Sequence, residues 1–295
     1  RWNNKALEDE TLSKNIENLK SIRPKGMHPM DLLRTIVSGG EEMDSDTEIE
    51  SIARISATVC FAIASYHKAD TNSLSDKYLV ASSLLPNDAS DEMLEALDDM
   101  LILYAEHGFN ASTFATRVTA STRADLTGAI VSGIATLKGE LHGGANEAVM
   151  HMMKEIGKPE KAKAWIENAL NKKKVVMGFG HRVYRTGDSR VPTMKHYMFK
   201  VAKLLKKEKY TRMYEILEKV MIQRKNIHPN VDFPCGPTYY MMGIDIDFYT
   251  PIFVMSRITG WSAHIMEQHA SNKLIRPLSK YRGAEVREVM LLNQR

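Results

Sequence analysis

The feature that most constrains the fold of this chain is a helical spacing of apolar residues that recurs along most of its length. The clearest stripe consists of Leu94, Leu97, Leu101 and Tyr104. A second one runs from Tyr210 to Met221. Spacing of three or four residues places such side chains on one face of an α-helix. Alternating patterns typical of strands are absent apart from a short candidate at 175–177, so the sequence predicts a mostly helical, all-α fold.

Local signals mark where two of these helices begin. Ser45 and Glu48 have the spacing of a capping box, in which each side chain binds the other residue's backbone N–H. Ser90 precedes Asp91 and Glu92, and acidic residues favour a first helical turn because they meet the positive end of the helix dipole. A helix is therefore predicted after each of the two serines.

Composition and charge exclude several classes of protein. The chain has 295 residues, 43% of them hydrophobic, which is enough for one large or two smaller domains. Its 40 basic and 36 acidic residues are spread along the chain, which argues against a nucleic-acid surface, while the net charge of +4 suits small polyanions. No apolar run reaches the roughly 18 residues of a transmembrane helix. With no recognisable signal peptide and two cysteines that form no disulfide framework, we expect a cytoplasmic protein.

Two short segments place one titratable side chain among residues that shape a loop. In L-H-G-G-A-N at 141–146, two glycines follow His142 and let a backbone or a ligand approach closely. A tight turn with an incidental histidine explains that segment equally well. In N-V-D-F-P-C-G at 230–236, Asp232 has apolar and rigid neighbours, and desolvation there would raise its basicity. By itself such an aspartate is more often a helix cap or a turn residue.

A third segment combines a histidine with arginines. In G-F-G-H-R-V-Y-R at 178–185, His181 follows two glycines, and Arg185 and Arg190 come shortly after it. This arrangement offers a proton donor at neutral pH beside groups that bind carboxylates or phosphates. The alternative is a surface turn with scattered basic residues.

Further positions support a site for an anion. His107 comes at the end of an amphipathic helix, and Arg257 lies inside the apolar run 252–261, where a buried arginine needs an anionic partner. The histidines and cysteines do not show the paired spacing of zinc ligands, so no metal site is predicted.

Taken together, and in this order along the chain, these segments resemble the citrate synthase family. The stretch G-F-G-H-R-V-Y-R-T-G-D-S-R at 178–190 is similar to the family's signature, and the similarity runs from Met27 to the C-terminus. The other matching motifs are L-H-G-G-A-N-E-A-V-M, E-H-G-F-N-A-S-T-F, N-V-D-F-P, R-I-T-G-W-S-A-H-I-M-E-Q and N-K-L-I-R-P.

The resemblance implies the family's all-α fold, in which a large and a smaller helical domain close over the substrates. The small domain would comprise residues 145–247. The large domain would comprise residues 1–144 and 248–295, with part of the family's N-terminal segment missing from this chain. The resemblance also implies a homodimer.

The activity implied is the Claisen condensation of propionyl-CoA or acetyl-CoA with oxaloacetate, followed by thioester hydrolysis to 2-methylcitrate or citrate and CoA. Such acyltransferases serve the methylcitrate cycle of propionate catabolism or the tricarboxylic acid cycle. The resemblance makes Asp232 the base that takes an α-proton from the acyl group. His142 would hydrogen-bond the thioester oxygen as the enol or enolate forms, and His181 would donate to the ketone oxygen of oxaloacetate.

The resemblance also implies the residues that bind the two substrates. The oxaloacetate ligands would be His107, Arg190, Arg257 and, from the partner subunit, Arg276. Arg185 would meet a phosphate of CoA, and the backbone segment that contacts its adenine would be Val176, Met177, Gly178, Phe179 and Gly180. No cofactor, metal, nucleic acid or membrane partner is expected.

Three alternatives stay open at this point. A dedicated citrate synthase would use acetyl-CoA only, although the stretch 187–192 resembles bacterial forms that also use propionyl-CoA. A non-catalytic helical interaction protein is disfavoured because all three catalytic positions are occupied. A metal-dependent hydrolase built on His107, His142, His181 and Asp232 is disfavoured by the absence of paired ligand spacing.

Overall fold

The structure, a computed structural model, describes residue 14 and residues 27–40, 47–66, 83–184, 186–287 and 289–294. Within these ranges the regular elements are helices, apart from one isolated antiparallel bridge between Phe179 and Pro229. The prediction of an all-α fold is confirmed. The short strand expected at 175–177 was wrong, because that segment is irregular and the bridge lies just beyond it.

The helices with both ends in the described ranges are mostly three to five turns long. They are α1 (Pro29–Ser38), α2 (Glu48–Tyr66), α3 (Asp91–Ala105), α4 (Ala111–Ser121), α5 (Leu126–Leu137), α6 (Ala145–Ile156), α7 (Pro159–Asn171), α8 (Val191–Leu204), α9 (Lys209–Lys225), α10 (Asp232–Met241) and α11 (Tyr249–Ala270). Two 3-10 turns, Ile246–Phe248 and Leu292–Gln294, complete the set.

The two predicted helix starts have different outcomes. The capping box of α2 is formed by Thr47 and Glu50: the Glu50 N–H donates to Thr47 Oγ1 at 3.3 Å, and the Thr47 N–H donates to the Glu50 carboxylate at 3.0 Å. This box has the same spacing as the one predicted but begins two residues later, and Ser45 lies outside the described residues. Ser90 is the N-cap of α3 as predicted, although its side chain makes no capping hydrogen bond.

Helix α11 is the centre of one packed group of helices. It contacts α2, α3, α4 and α5, and its Trp261 is completely buried. In a second group, α10 packs against α6 and α8, and α7 packs against α9. The chain passes between the groups in the turn from α5 to α6 and again just before α11. Residues on these crossings, and on the loops around them, lie where the two groups meet.

The described helices include none with the length and hydropathy to cross a membrane. Both cysteines are free thiols, with Cys235 buried and Cys60 partly buried.

Candidate active site

His142 lies in the turn between α5 and α6, and its hydrogen bonds define its tautomer. Its Nε2 lies 3.2 Å from the backbone N of Ser112 and 2.8 Å from the Ser112 Oγ. A backbone N–H can only donate, so Nε2 is the acceptor and the neutral ring carries its proton on Nδ1. Burial, reinforced by the charge of Arg257, lowers the pKa of His142 to about 4. At neutral pH this residue is therefore an uncharged donor through Nδ1.

The turn that holds His142 is built around a glycine. A Cβ on Gly143 would come within 2.6 Å of the backbone oxygen of Leu137. The close approach predicted from the two glycines is therefore made by the chain's own backbone. Ser112, the partner of His142, is fixed in turn by Trp261, whose indole N–H donates to Ser112 Oγ at 3.1 Å.

His181 has the opposite tautomer. The backbone N–H groups of Val183 and Tyr184 donate to its Nδ1 at 3.1 and 3.2 Å, which leaves the proton of the neutral ring on Nε2. That Nε2 lies 3.0 Å from Nε2 of His107, which follows the C-terminus of α3 and acts as the acceptor. Burial lowers the pKa of both rings, in the case of His107 to about 4 with Arg190 as the next cause. The pair is therefore neutral, with a donor proton on His181.

Asp232 is the first residue of α10 and is 9% exposed. The hydroxyl of Tyr104, on α3, donates to its Oδ1 at 3.0 Å. Burial raises the pKa of this carboxyl to about 6, while Arg190 and the tyrosine hydroxyl oppose the rise. A carboxylate of this kind is a stronger base than an exposed one and is still largely ionised at pH 7.

Arg190 forms a two-pronged ion pair with Asp188. Its Nε and Nη2 donate to the two oxygens of that carboxylate at 3.0 and 2.7 Å. Asp188 also accepts from the backbone N–H of Val231 at 3.2 Å, which ties the loop before α8 to the residue before Asp232. The ion pair holds the pKa of Asp188 below its usual value despite burial.

Arg257, on α11, is a buried cation with an unfilled hydrogen-bonding position. It is 1% exposed, its Nε donates to the backbone oxygen of Tyr104 at 2.6 Å, and its guanidinium lies over the ring of Phe253. Its Nη1 has no hydrogen-bond partner among the described residues. Burial lowers its pKa to about 10, with the neighbouring charge of Arg190 as the next cause. An unpaired buried group of this kind calls for a partner, and an anion is the natural one.

A single asparagine links two of the loops. The side-chain amide of Asn230 donates to the backbone oxygen of Gly180 at 3.0 Å, next to His181. The side-chain oxygen of Asn230 accepts from the backbone N–H of Asp232 at 3.1 Å. Together with the bridge between Phe179 and Pro229, these bonds place the predicted proton donor and the predicted base on one rigid unit.

The structure thus brings together six of the seven residues predicted to be catalytic or to bind oxaloacetate, by contact or by mutual electrostatic influence. They are His107, His142, His181, Arg190, Asp232 and Arg257. Arg276 is not among them: it is exposed, on the irregular stretch that follows α11. Arg185 lies outside the described residues.

The segment predicted to contact CoA forms the rigid part of the loop before His181. Gly178 has a φ of +83°, and a Cβ there would come within 2.7 Å of Val149. Phe179 packs on Phe233 with ring centroids 4.3 Å apart, and Val176 is buried while Met177 and Gly180 are partly exposed. Only glycine fits position 178, because it combines a left-handed conformation with close packing.

Sequence reasoning assigned no role to several residues that hold this site. Tyr104, Ser112 and Asp188 are each bonded to a predicted site residue. Ser112 and Asp188 lie inside the matched motifs, whereas Tyr104 belongs to an apolar helical stripe and gave no local signal. Among the described residues no group of three histidine, cysteine, aspartate or glutamate side chains could hold a metal ion.

Fold and site together define a class of protein. It is an all-α protein whose buried site holds a basic carboxylate, neutral histidine donors and a buried arginine that can bind an anion. The family model described as the C-terminal domain of citrate synthase matches residues 1–278. The 2-methylcitrate synthase 2 of Corynebacterium glutamicum is 43% identical over 314 residues, covering 100% of this chain and 82% of the relative. The citrate synthase of Mycolicibacterium smegmatis is 44% identical over 294 residues, covering 95% of this chain and 78% of the relative.

A solved structure agrees with these relatives. The citrate synthase of the archaeon Thermoplasma acidophilum, in a ternary complex with carboxymethyl coenzyme A and oxaloacetate, superposes with a TM-score of 0.81. Its sequence is 29% identical, and the match covers 99% of this chain and 84% of that chain. The chain described here belongs to the citrate synthase family.

Proposed function

We propose that this chain condenses a short acyl-CoA with oxaloacetate and then hydrolyses the thioester, giving a tricarboxylate and free CoA. The observation that carries the proposal is Arg257, a buried guanidinium whose Nη1 lacks a partner among the described residues. A buried cation requires an anion, and a planar guanidinium binds a carboxylate through paired hydrogen bonds. Oxaloacetate supplies two carboxylates. Relatives named 2-methylcitrate synthase and citrate synthase support the same assignment.

The acyl-CoA half of the reaction needs a base and a donor. Asp232 removes an α-proton from the acyl group, a task that its pKa of about 6 suits because the ionised form is both populated and basic. His142 donates its Nδ1 proton to the thioester oxygen as negative charge develops there. A neutral donor placed in advance stabilises that charge without rearranging solvent.

The oxaloacetate half needs a polarised ketone. The Nε2 proton of His181, which now points to His107, is donated to the ketone oxygen and makes the ketone carbon electrophilic. His107 is neutral and binds oxaloacetate through a hydrogen bond, whereas Arg190, Arg257 and Arg276 of the partner subunit bind its carboxylates. Forked guanidinium groups suit carboxylates better than lysine side chains do.

We further propose that residues 145–247 act as the small domain and that the rest of the chain forms the large one. The helix groups around α10 and α11 support this division. Closure of the two domains would exclude water during condensation and admit it for thioester hydrolysis.

The backbone from Val176 to Gly180 would contact the adenine of CoA, with Arg185 near a phosphate. The reaction needs no cofactor beyond its two substrates, and we propose a cytoplasmic enzyme because both thiols are free.

The functional unit is proposed to be a homodimer. The stretch after α11 is largely irregular and exposes apolar side chains, among them Leu278 at 93% and Leu292 at 86%. Exposed apolar residues in such number mark a surface that another chain covers. Arg276 lies on this stretch, so docking it on a second copy would carry the guanidinium to the partner's site.

We expect both acyl-CoAs to be substrates, with propionyl-CoA at least competitive in kcat/KM. The two acyl groups differ by one methylene, which an apolar pocket discriminates only about 10–200-fold. The stretch 187–192 favours the use of propionyl-CoA, and the relatives include proteins named 2-methylcitrate synthase and citrate synthase. Parallel kcat/KM measurements, with mass spectrometry of the products, check this. A kcat/KM for propionyl-CoA more than roughly 200-fold below that for acetyl-CoA would instead indicate a dedicated citrate synthase.

A further inference from the structure

We propose that Tyr104 is a positioning residue for Asp232, holding the carboxylate in the orientation that proton removal requires. The proposal rests on the role given above to Asp232 and extends the site by a residue on α3. Its basis is the hydrogen bond from the Tyr104 hydroxyl to Asp232 Oδ1, at 3.0 Å.

The tyrosine side chain is locked in place from several sides. Tyr104 is completely buried, and its ring packs on Phe253 with centroids 3.9 Å apart. Its backbone oxygen accepts the Nε proton of Arg257 at 2.6 Å, so the same residue also anchors the buried cation. The hydroxyl proton is directed at Oδ1 of Asp232, which leaves Oδ2 as the oxygen that takes up the substrate proton.

The hydroxyl also sets the ionisation of the base. Charged and titratable groups around Asp232 are Arg190 and Asp188 before α8, Arg257 on α11, Tyr104 on α3, and Cys235 and Tyr239 on α10 itself. Among these, the two arginines and Tyr104 lower the pKa of Asp232, and Asp188 raises it. Burial raises the pKa of Tyr104 well above its usual value, so the tyrosine stays a protonated donor. It therefore favours the carboxylate without adding a charge to the site.

The two partners come from different helix groups. Tyr104 is on α3, which packs with α11, whereas Asp232 is on α10, which packs with α6 and α8. The hydrogen bond therefore forms only when the groups are packed as in this structure. The orientation and the pKa of Asp232 therefore depend on how the two helix groups pack against each other.

The test is a titration of Asp232 in the Tyr104→Phe variant. Because a hydrogen bond to a charged group is lost, the pKa of Asp232 should rise by about one to two pH units. The readout is ¹³C NMR of full-length protein labelled at the aspartate Cγ, with the Asp232 signal assigned from Asp232→Asn. The acid limb of the kcat/KM profile should move upward by the same amount. Tyr249→Phe is the matched control, because that buried hydroxyl has no hydrogen-bond partner among the described residues.

Each outcome bears on the proposal. If the Asp232 titration stays in place in folded Tyr104→Phe, the proposal is wrong, whatever the activity. If the titration moves but wild-type protein shows no oxaloacetate-dependent turnover, the pairing stands and the proposed function fails. Should the variant not fold, 3-fluorotyrosine at position 104 replaces it: this more acidic donor should lower the pKa of Asp232, and an unchanged or raised value would overturn the proposal.

Discussion

Replacing Asp232 with asparagine is expected to lower kcat by about 10²–10⁴ while the fold is retained, since positioned bases contribute on that scale. Asparagine has nearly the same shape as aspartate, and its side-chain oxygen can still accept the hydrogen bond from the hydroxyl of Tyr104. What it lacks is the ability to take a proton. Steady-state kinetics with acyl-CoA and oxaloacetate measure the loss, and circular dichroism verifies the fold.

The stability of this variant provides an independent check. Burial raises the pKa of Asp232 to about 6, above the value near 4 of an exposed aspartate. The ionised form is thus disfavoured by folding, and this destabilisation appears as the pH rises through that interval and is complete above it. At pH 8 the asparagine variant should have a Tm no lower than wild type. Asp98→Asn, at an exposed position on α3, should leave kcat unchanged. Wild-type kcat in folded Asp232→Asn protein would remove this residue from the mechanism.

Mixing two inactive variants is expected to restore activity. In a dimer that joins an Arg276→Ala subunit to a His181→Ala subunit, one of the two sites has its own His181 and the arginine of the other subunit. With random reassembly at equal amounts, half of the dimers are mixed and half of their sites are intact. About one quarter of the wild-type activity should therefore return, as the symmetry of a two-fold dimer requires. Activity is measured after dissociation and reassembly of the subunits.

A second pair of variants provides the control. His142→Ala and His181→Ala remove residues that contribute to the same site from the same subunit, so their mixed dimers contain no intact site. This mixture should stay inactive. If mixed dimers of the first pair are demonstrated by mass spectrometry and are also inactive, Arg276 acts within its own subunit and the shared site is wrong.

Much of the fold follows from local pattern. Helical spacing identified the stripe that contains Leu97 and Tyr104, both buried in α3. The start of α2 was misplaced because two overlapping pairs, Ser45–Glu48 and Thr47–Glu50, satisfy the same capping rule. The spacing and type of the residues do not show which of the two pairs begins the helix.

The hydrogen-bond partners of the predicted catalytic residues were harder to predict than those residues themselves. The motifs led to His142, His181 and Asp232 because each lies beside glycine or proline in a short segment. Tyr104 was missed since a tyrosine at helical spacing looks like core, and its partner Asp232 is 128 positions away in the chain. A contact between two such distant positions is a property of tertiary packing that local spacing does not contain.

The most direct test of the central claim is the release of free CoA thiol by the purified chain, followed with a thiol reagent. With propionyl-CoA or acetyl-CoA, we predict thiol release only when oxaloacetate is present, in equal amount to the 2-methylcitrate or citrate formed. Release at the same rate without oxaloacetate, or no release with either acyl-CoA, would contradict it.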